Sequence, residues 1–215
     1  MRAALIVVVA AALATAALPT AGVAAVSGAG PTVRGLLVTR ATLGSGWTVS
    51  SPAPRHVPPV ACGAQHLRLR GEAAQPAAAA TPTWGDGSGG PFVAQTAYLY
   101  RGAADALAAW RAEARASLLT CLAQSFTRAA GRTVQFSVTS RRVTSAPHLT
   151  TTARAYALQA TASGHGQSAP VYLDVLLLFH GTAITELSFS SLITPPPAGL
   201  ELRVARRAAG LLATA

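Results

Sequence analysis

The strongest constraint on the fold is a change of hydrophobic period in the second half of the chain. Beyond Gly131 apolar residues occupy every second position, as in Val134, Phe136 and Val138. This alternation is typical of half-buried strands. Three further segments rich in strand-forming residues follow, at 151–162, 172–180 and 184–191. The second half therefore predicts four strands in succession.

Turn residues separate these strands. Gly181-Thr182 predicts a tight turn that joins the last two strands as a hairpin, and Gly164-His165-Gly166 predicts a looser one. Three consecutive prolines at 195–197 end the sheet. Such short connections favour antiparallel pairing.

Helical spacing marks two long segments. From 103 to about 126 apolar residues recur every three or four positions, and the stripe points Cys121 toward the core. From 198 to 212 Leu200 and Val204 lie on an apolar stripe with arginines beside it. Both segments are predicted to be amphipathic helices.

The first half is less regular. A short helix is predicted before Gly44, a second at 61–72, and a strand at 92–100. The Ala/Pro/Gly-rich stretch 73–91 has no apolar period and predicts a flexible exposed loop. The fold class is therefore α+β, with an antiparallel sheet of about five strands packed against two or three helices and one disulfide.

Residues 1–25 have the layout of a secretory signal peptide. A charged start at Met1-Arg2 precedes an apolar run to Leu18, and small residues precede a cut after Ala25. An uncleaved anchor helix is the alternative, although the run is short for a bilayer span. We expect a secreted protein associated with the cell envelope, with a spacer at 26–33, one domain at 34–215 and no transmembrane segment after cleavage.

The charge is strongly positive, with 17 basic residues against 7 acidic ones and a net charge of +10. The arginines are dispersed and lack interleaved aromatic residues, which argues against nucleic-acid binding. Anionic envelope polymers and lipid headgroups remain candidate partners of the arginines near the C-terminus.

Two cysteines, Cys62 and Cys121, remain after cleavage. An even pair in an exported chain predicts one disulfide. A metal-binding pair and a catalytic thiol are the alternatives, but the chain has no CxxC motif or histidine cluster to support a zinc site. No metal and no cofactor are predicted.

The candidate site is a polar face of the sheet. Tyr172, Asp174 and His180 have the same parity on one strand, and a carboxylate among apolar neighbours needs a partner. Arg154, which has the parity of Tyr156 on the preceding strand, is the predicted partner. The five residues are predicted to contact a ligand; a purely structural ion pair and a catalytic acid/base are the alternatives.

Several motifs together resemble a known family. They are Leu-Leu at 36–37 with Leu-Gly-x-Gly-Trp at 43–47, an early cysteine, Ala-Ala-x-Ala-Leu-x-x-Trp at 103–110, and Phe-His-Gly-Thr-Ala-Ile-Thr-Glu-Leu at 179–187. The pattern resembles the exported sensor-type domains of actinobacteria, which are similar to the extracellular domain of PknH-type receptor kinases. The resemblance spans roughly residues 34 to 213.

The resemblance implies a disulfide-stabilised domain with a groove for an envelope ligand. The kinase-linked form has more cysteines, so the Cys62 to Cys121 link alone carries over. We expect a non-catalytic domain that binds a small or amphiphilic envelope component between sheet and helices. A protein interaction module is the alternative, and a hydrolase with an unrecognised site is a weaker one.

Reducing the predicted Cys62 to Cys121 bridge should lower the free energy of unfolding by about 4 kcal/mol, because the bridge closes a loop of roughly 60 residues. Denaturant titration of the oxidised and reduced protein measures the difference. A variant with both cysteines replaced by serine is the control and should not respond to reductant. Equal stability of the wild-type protein in both states would contradict the bridge.

Overall fold

The computed structural model describes most of the chain beyond the predicted signal peptide. The described residues are 32–55, 57, 76–129, 134–144, 146, 148–149, 151–164 and 166–215. The signal peptide, the helix predicted at 61–72 and Cys62 lie outside them.

Within these residues the chain forms four α-helices and eight strands. The helices are α1 (Arg40–Leu43), α2 (Ala103–Glu113), α3 (Ser117–Ala129) and α4 (Ala198–Leu212), and a 3-10 turn at Val33–Leu36 precedes them. The strands are β1 (Thr48–Ser51), β2 (Ala77–Ala80), β3 (Thr83–Gly85), β4 (Phe92–Leu99), β5 (Gln135–Thr144), β6 (Thr152–Gly164), β7 (Gln167–His180) and β8 (Ala183–Leu192).

All eight strands belong to one antiparallel sheet. The order is β1-β3-β4-β8-β7-β6-β5, and β2 pairs with β4 beside β3. Gly164 pairs with Gln167 and His180 pairs with Ala183, so two-residue loops join β6, β7 and β8. The hairpin predicted at Gly181-Thr182 is confirmed.

The predictions of about five strands and of two or three helices are wrong, because the described residues form eight strands and four α-helices. The three additional strands β1, β2 and β3 extend the sheet beyond β4, and two of them lie in the stretch predicted to be a loop. An edge strand is held by backbone hydrogen bonds to its neighbour, and it does not require an apolar residue at every second position. Ala77 to Ala80 pair with the outer edge of β4, and the neighbouring Trp84 is buried.

The helix predicted over 103–126 is interrupted. Ala114, with ψ of 34°, ends α2, and the N–H of Arg115 donates to the carbonyl of Glu113 at 2.7 Å. The apolar stripe continues on both sides of the break, so periodicity alone does not reveal it. The helix predicted at 198–212 is confirmed.

Helices cover both faces of the sheet. The α2/α3 face is the side of the sheet against which α2 and α3 pack, and the α4 face is the opposite side. The 3-10 turn and α1 also pack on the α4 face. Leu173 and Leu177 of β7 lie in the α2/α3 core, whereas Leu176 and Leu178 lie in the α4 core. This alternation confirms the predicted strand parity along β7.

Gln95 ties the N-terminal segment to the sheet. Its side chain is 1% exposed. Oε1 accepts the N–H of Val38 at 2.6 Å, while Nε2 donates to the carbonyl of Leu36 at 2.9 Å and to Oγ1 of Thr185 at 2.8 Å. The amide therefore bonds two buried backbone groups as a neighbouring strand would.

Cys121, the cysteine among the described residues, is half-buried on α3 and is not a free thiol. Because Cys62 lies outside the described residues, the bridge between the two stays a prediction.

No helix in the described part of the chain is long and apolar enough to cross a membrane.

Replacing Gln95 with leucine should lower the free energy of unfolding by about 2–4 kcal/mol, because the N–H of Val38 and the carbonyl of Leu36 would stay buried without a partner. Chemical denaturation measures the change. Gln159→Leu is the control, since Gln159 is exposed on β6 and its loss should change stability by less than about 0.5 kcal/mol. Similar losses in both variants would contradict this role of Gln95.

Candidate functional site

A cleft of about 270 Å³ opens on the α4 face, between β5, β6 and β7 and the first turn of α4. Its polar lining residues are Arg142, Thr144, Asp174 and Glu201, and its other lining residues are Ala155, Tyr156, Ala157, Val175, Leu176 and Phe189. The cleft therefore combines an apolar floor with charged groups of both signs.

Strand register builds the floor of the cleft. Arg142 of β5 pairs with Ala157 of β6, and Ala157 pairs with Asp174 of β7. The three side chains form a row across the sheet, with the arginine and the aspartate about 10 Å apart at their Cα atoms. The small alanine between them leaves open space between the two charges.

A β-bulge decides which face Arg142 occupies. The β5–β6 register shifts by one residue between Val138 and Ser140. Without this shift every residue beyond it would face the opposite side of the sheet. The bulge therefore places Arg142 on the α4 face and Arg141 on the α2/α3 face.

Helix α4 brings a second carboxyl group to the cleft. Glu201 lies in the first turn of α4, three residues before the buried Val204, and is half-buried. Its side chain is hydrogen-bonded to that of Asp174. Two acidic groups in such contact require one of them to hold a proton.

Burial raises the pKa of Glu201 to about 8, with further contributions from the charge of Asp174 and from their hydrogen bond. Burial also raises the pKa of Asp174, opposed by the hydrogen bond from Glu201 and by the charge of Arg142. The N-terminus of α4 favours an ionised Glu201, but burial outweighs it. At neutral pH the carboxyl pair carries one negative charge, which Arg142 balances.

The structure divides the five predicted site residues between two faces. Arg154 pairs with Leu177 across β6 and β7, so Arg154 and Tyr156 lie on the α2/α3 face while Asp174 lies on the α4 face. The predicted pairing of Arg154 with Asp174 is therefore wrong. The two-residue loop matches even-numbered residues of β6 with odd-numbered residues of β7, so equal parity places them on opposite faces.

Tyr172 and His180 share the face of Asp174 but do not line the cleft. His180 is exposed and lies six residues from Asp174, or about 20 Å along the strand. Tyr172 lies nearer, two residues before Asp174, and is half-buried. Their predicted ligand contacts stay predictions.

Tyr156 belongs to a separate polar cluster beneath α2. Its ring is buried, and burial raises the pKa of its hydroxyl to about 12 despite the opposing charge of Arg154. Burial also raises the pKa of Glu186 to about 7, with a contribution from Glu113. The same two carboxyl groups add to the effect of burial on the pKa of Tyr98, which is raised well above its usual value. Because the ring of Tyr156 lies in the core of the α2/α3 face, Tyr156 borders the cleft through its backbone.

Sequence reasoning missed Arg142, Thr144 and Glu201. The signal for Glu201 was its position three residues before Val204, which places it beside the apolar stripe of α4. The signal for Arg142 was weaker, because the bulge interrupts the alternation of β5.

No protein-family model matches the chain, and no curated protein matches it. Among solved structures, the chain is similar to the extracellular domain of PknH from Mycobacterium tuberculosis, with a TM-score of 0.40 and 12% sequence identity. The alignment covers 83% of this chain and 94% of that chain. At this TM-score the likeness carries no inference about the fold, the ligand or the function of this chain.

Stability should fall as pH rises through the window between the unfolded and folded pKa values of Glu201, about 4.5 and about 8, because the folded chain binds more protons there. Replacing Glu201 with glutamine removes this titration. After allowance for solvent screening, we expect the variant to lose about 1 kcal/mol less stability than the wild-type protein over that window.

Urea unfolding at a series of pH values measures both profiles. The pKa of Glu186 is also raised, so it contributes a slope of the same sign to both proteins and cancels in their difference. Asp105→Asn is the control, because Asp105 is exposed, and it should keep the wild-type profile. Identical profiles for the wild-type protein and Glu201→Gln would contradict the shared proton.

Proposed function

We propose that the chain is an exported, non-catalytic domain that binds a small or amphiphilic component of the cell envelope in the cleft beside α4. The observation that carries this proposal is the row of Arg142, Ala157 and Asp174, with Glu201 above it. Binding sites for small molecules combine apolar walls with a few convergent polar groups. Export is supported by the composition of residues 1–25.

The spacing of the charges supports binding over a purely structural role. A structural ion pair is most stabilising when guanidinium and carboxylate are in direct contact. Arg142 acts on Asp174 through its charge rather than through a hydrogen bond, and Ala157 keeps the two strands' side chains apart. A carboxylate without a direct ion pair gains less stability than one in contact with a guanidinium, and groups retained for binding often contribute little to stability.

The surface charge supports a location beside anionic polymers or headgroups. Twelve arginines in the described part of the chain are exposed, including Arg206 and Arg207 on the outer side of α4. Such a surface concentrates the domain near negative charge, an effect that salt weakens.

A hydrolase is the second candidate, because a carboxyl pair that shares one proton is also able to act as an acid/base dyad. Among the residues that line the cleft, Thr144 and Tyr156 carry hydroxyl groups, and the ring of Tyr156 is buried. Hydrolysis would convert the bound molecule, whereas the proposed binding function returns it unchanged.

Replacing both carboxyl groups, in Asp174→Asn/Glu201→Gln, should weaken ligand retention about tenfold because their shared negative charge is lost, while stability changes by about 1 kcal/mol or less. Mass spectrometry of small molecules that remain bound through purification from an envelope extract measures retention, and the mass of the released molecule distinguishes binding from hydrolysis. Arg141→Gln is the control, since this exposed neighbour of Arg142 faces away from the cleft. Equal retention by all three proteins would contradict the cleft as the binding site.

A further inference from the structure

The charges of the cleft lie at two separate ends. Asp174 and Glu201 form one end, where β7 meets the first turn of α4. Arg142 forms the other end on the edge strand β5, with Ala157 between them in the row. A ligand that spans the cleft therefore meets negative charge at one end and positive charge at the other.

We infer that the cleft binds a small zwitterion, with an ammonium or guanidinium group against Asp174 and Glu201 and a carboxylate or phosphate group against Arg142. This inference rests on the proposed function of the cleft and specifies its ligand class. Free amino acids and zwitterionic headgroups of lipids share this chemistry.

Charge balance favours a zwitterion over a ligand of one sign. A lone cation at the carboxyl pair would have Arg142 nearby as a repelling charge, and a lone anion at Arg142 would have Asp174. A ligand with both groups brings one opposite charge to each end and leaves the half-buried cleft without excess charge.

The size of the cleft limits the ligand. About 270 Å³ is just below the roughly 300–1,000 Å³ typical of pockets for small molecules. This volume accommodates an amino acid or a headgroup rather than a polymer chain. Ala155, Leu176 and Phe189 supply apolar contacts for the carbon atoms between the two charged groups.

The test uses NMR titration of the isotope-labelled chain, which detects millimolar affinities. One arm compares 4-aminobutanoate with butylamine and butanoate, its two singly charged analogues. A second arm uses O-phosphoethanolamine to represent a phosphate headgroup, and a third uses amino acids with two to six carbons to find the best charge separation. We expect the best zwitterion to bind at least tenfold more tightly than either singly charged analogue.

Variants test which residues bind the positive group of the ligand and which bind its negative group. Arg142→Gln should reduce the affinity of the zwitterion to that of the amine. The double variant Asp174→Asn/Glu201→Gln, which removes the shared negative charge, should reduce it to that of the acid. Arg141→Gln removes the same charge from the adjacent position on the opposite face and should leave every affinity unchanged. Arg142 is exposed, so its replacement keeps the test valid even if the double variant does not fold.

Equal affinities for the zwitterions and the singly charged analogues would overturn the inference, as would equal effects of Arg141→Gln and Arg142→Gln. If cleft variants lose a copurified molecule that is not a zwitterion, the inference fails and the proposed function stands. If no cleft variant alters either retention or probe binding, both fail.

Discussion

The organisation of this protein depends on the position of β7 inside the sheet. This strand pairs with β6 and β8 at its two edges, and helices cover both of its faces. A polar side chain on such a strand has to find its partners within the protein. Asp174 is the acidic residue that β7 carries into this environment, and the cleft is formed by the groups that surround it.

Register decides which groups those are. A two-residue loop fixes β6 against β7, so that Ala157 rather than Arg154 lies beside Asp174. The bulge in β5 then brings Arg142 to the same face. Because side chains alternate with a period of two, a shift of one residue in either pairing would remove the arginine from the cleft. The chemistry of the site is therefore a consequence of backbone pairing.

The sequence predicts the parts that depend on local pattern. Alternation predicted β5, strand-forming residues between turns predicted β6 to β8, and helical spacing predicted α4. Parity along β7 identified Asp174 and its face. It did not predict β2 and β3, where backbone pairing to β4 replaces apolar periodicity. It also did not predict the partners of Asp174, because parity within one strand does not determine register with the next. Glu201, which is distant in sequence, required the packing of α4.

The distribution of charge connects stability with the proposed binding site. Twelve arginines among the described residues are exposed, whereas Glu113, Asp174, Glu186 and Glu201 are buried or half-buried. Burial of a carboxyl group is tolerated when the group is protonated or meets a positive charge. At the cleft both conditions hold, because Glu201 shares a proton with Asp174 and Arg142 balances the remaining charge. Asp174 and Arg142 come from strands whose Cα atoms are about 10 Å apart, with Ala157 between them, so a ligand with two opposite charges is able to enter between them without removing either compensation.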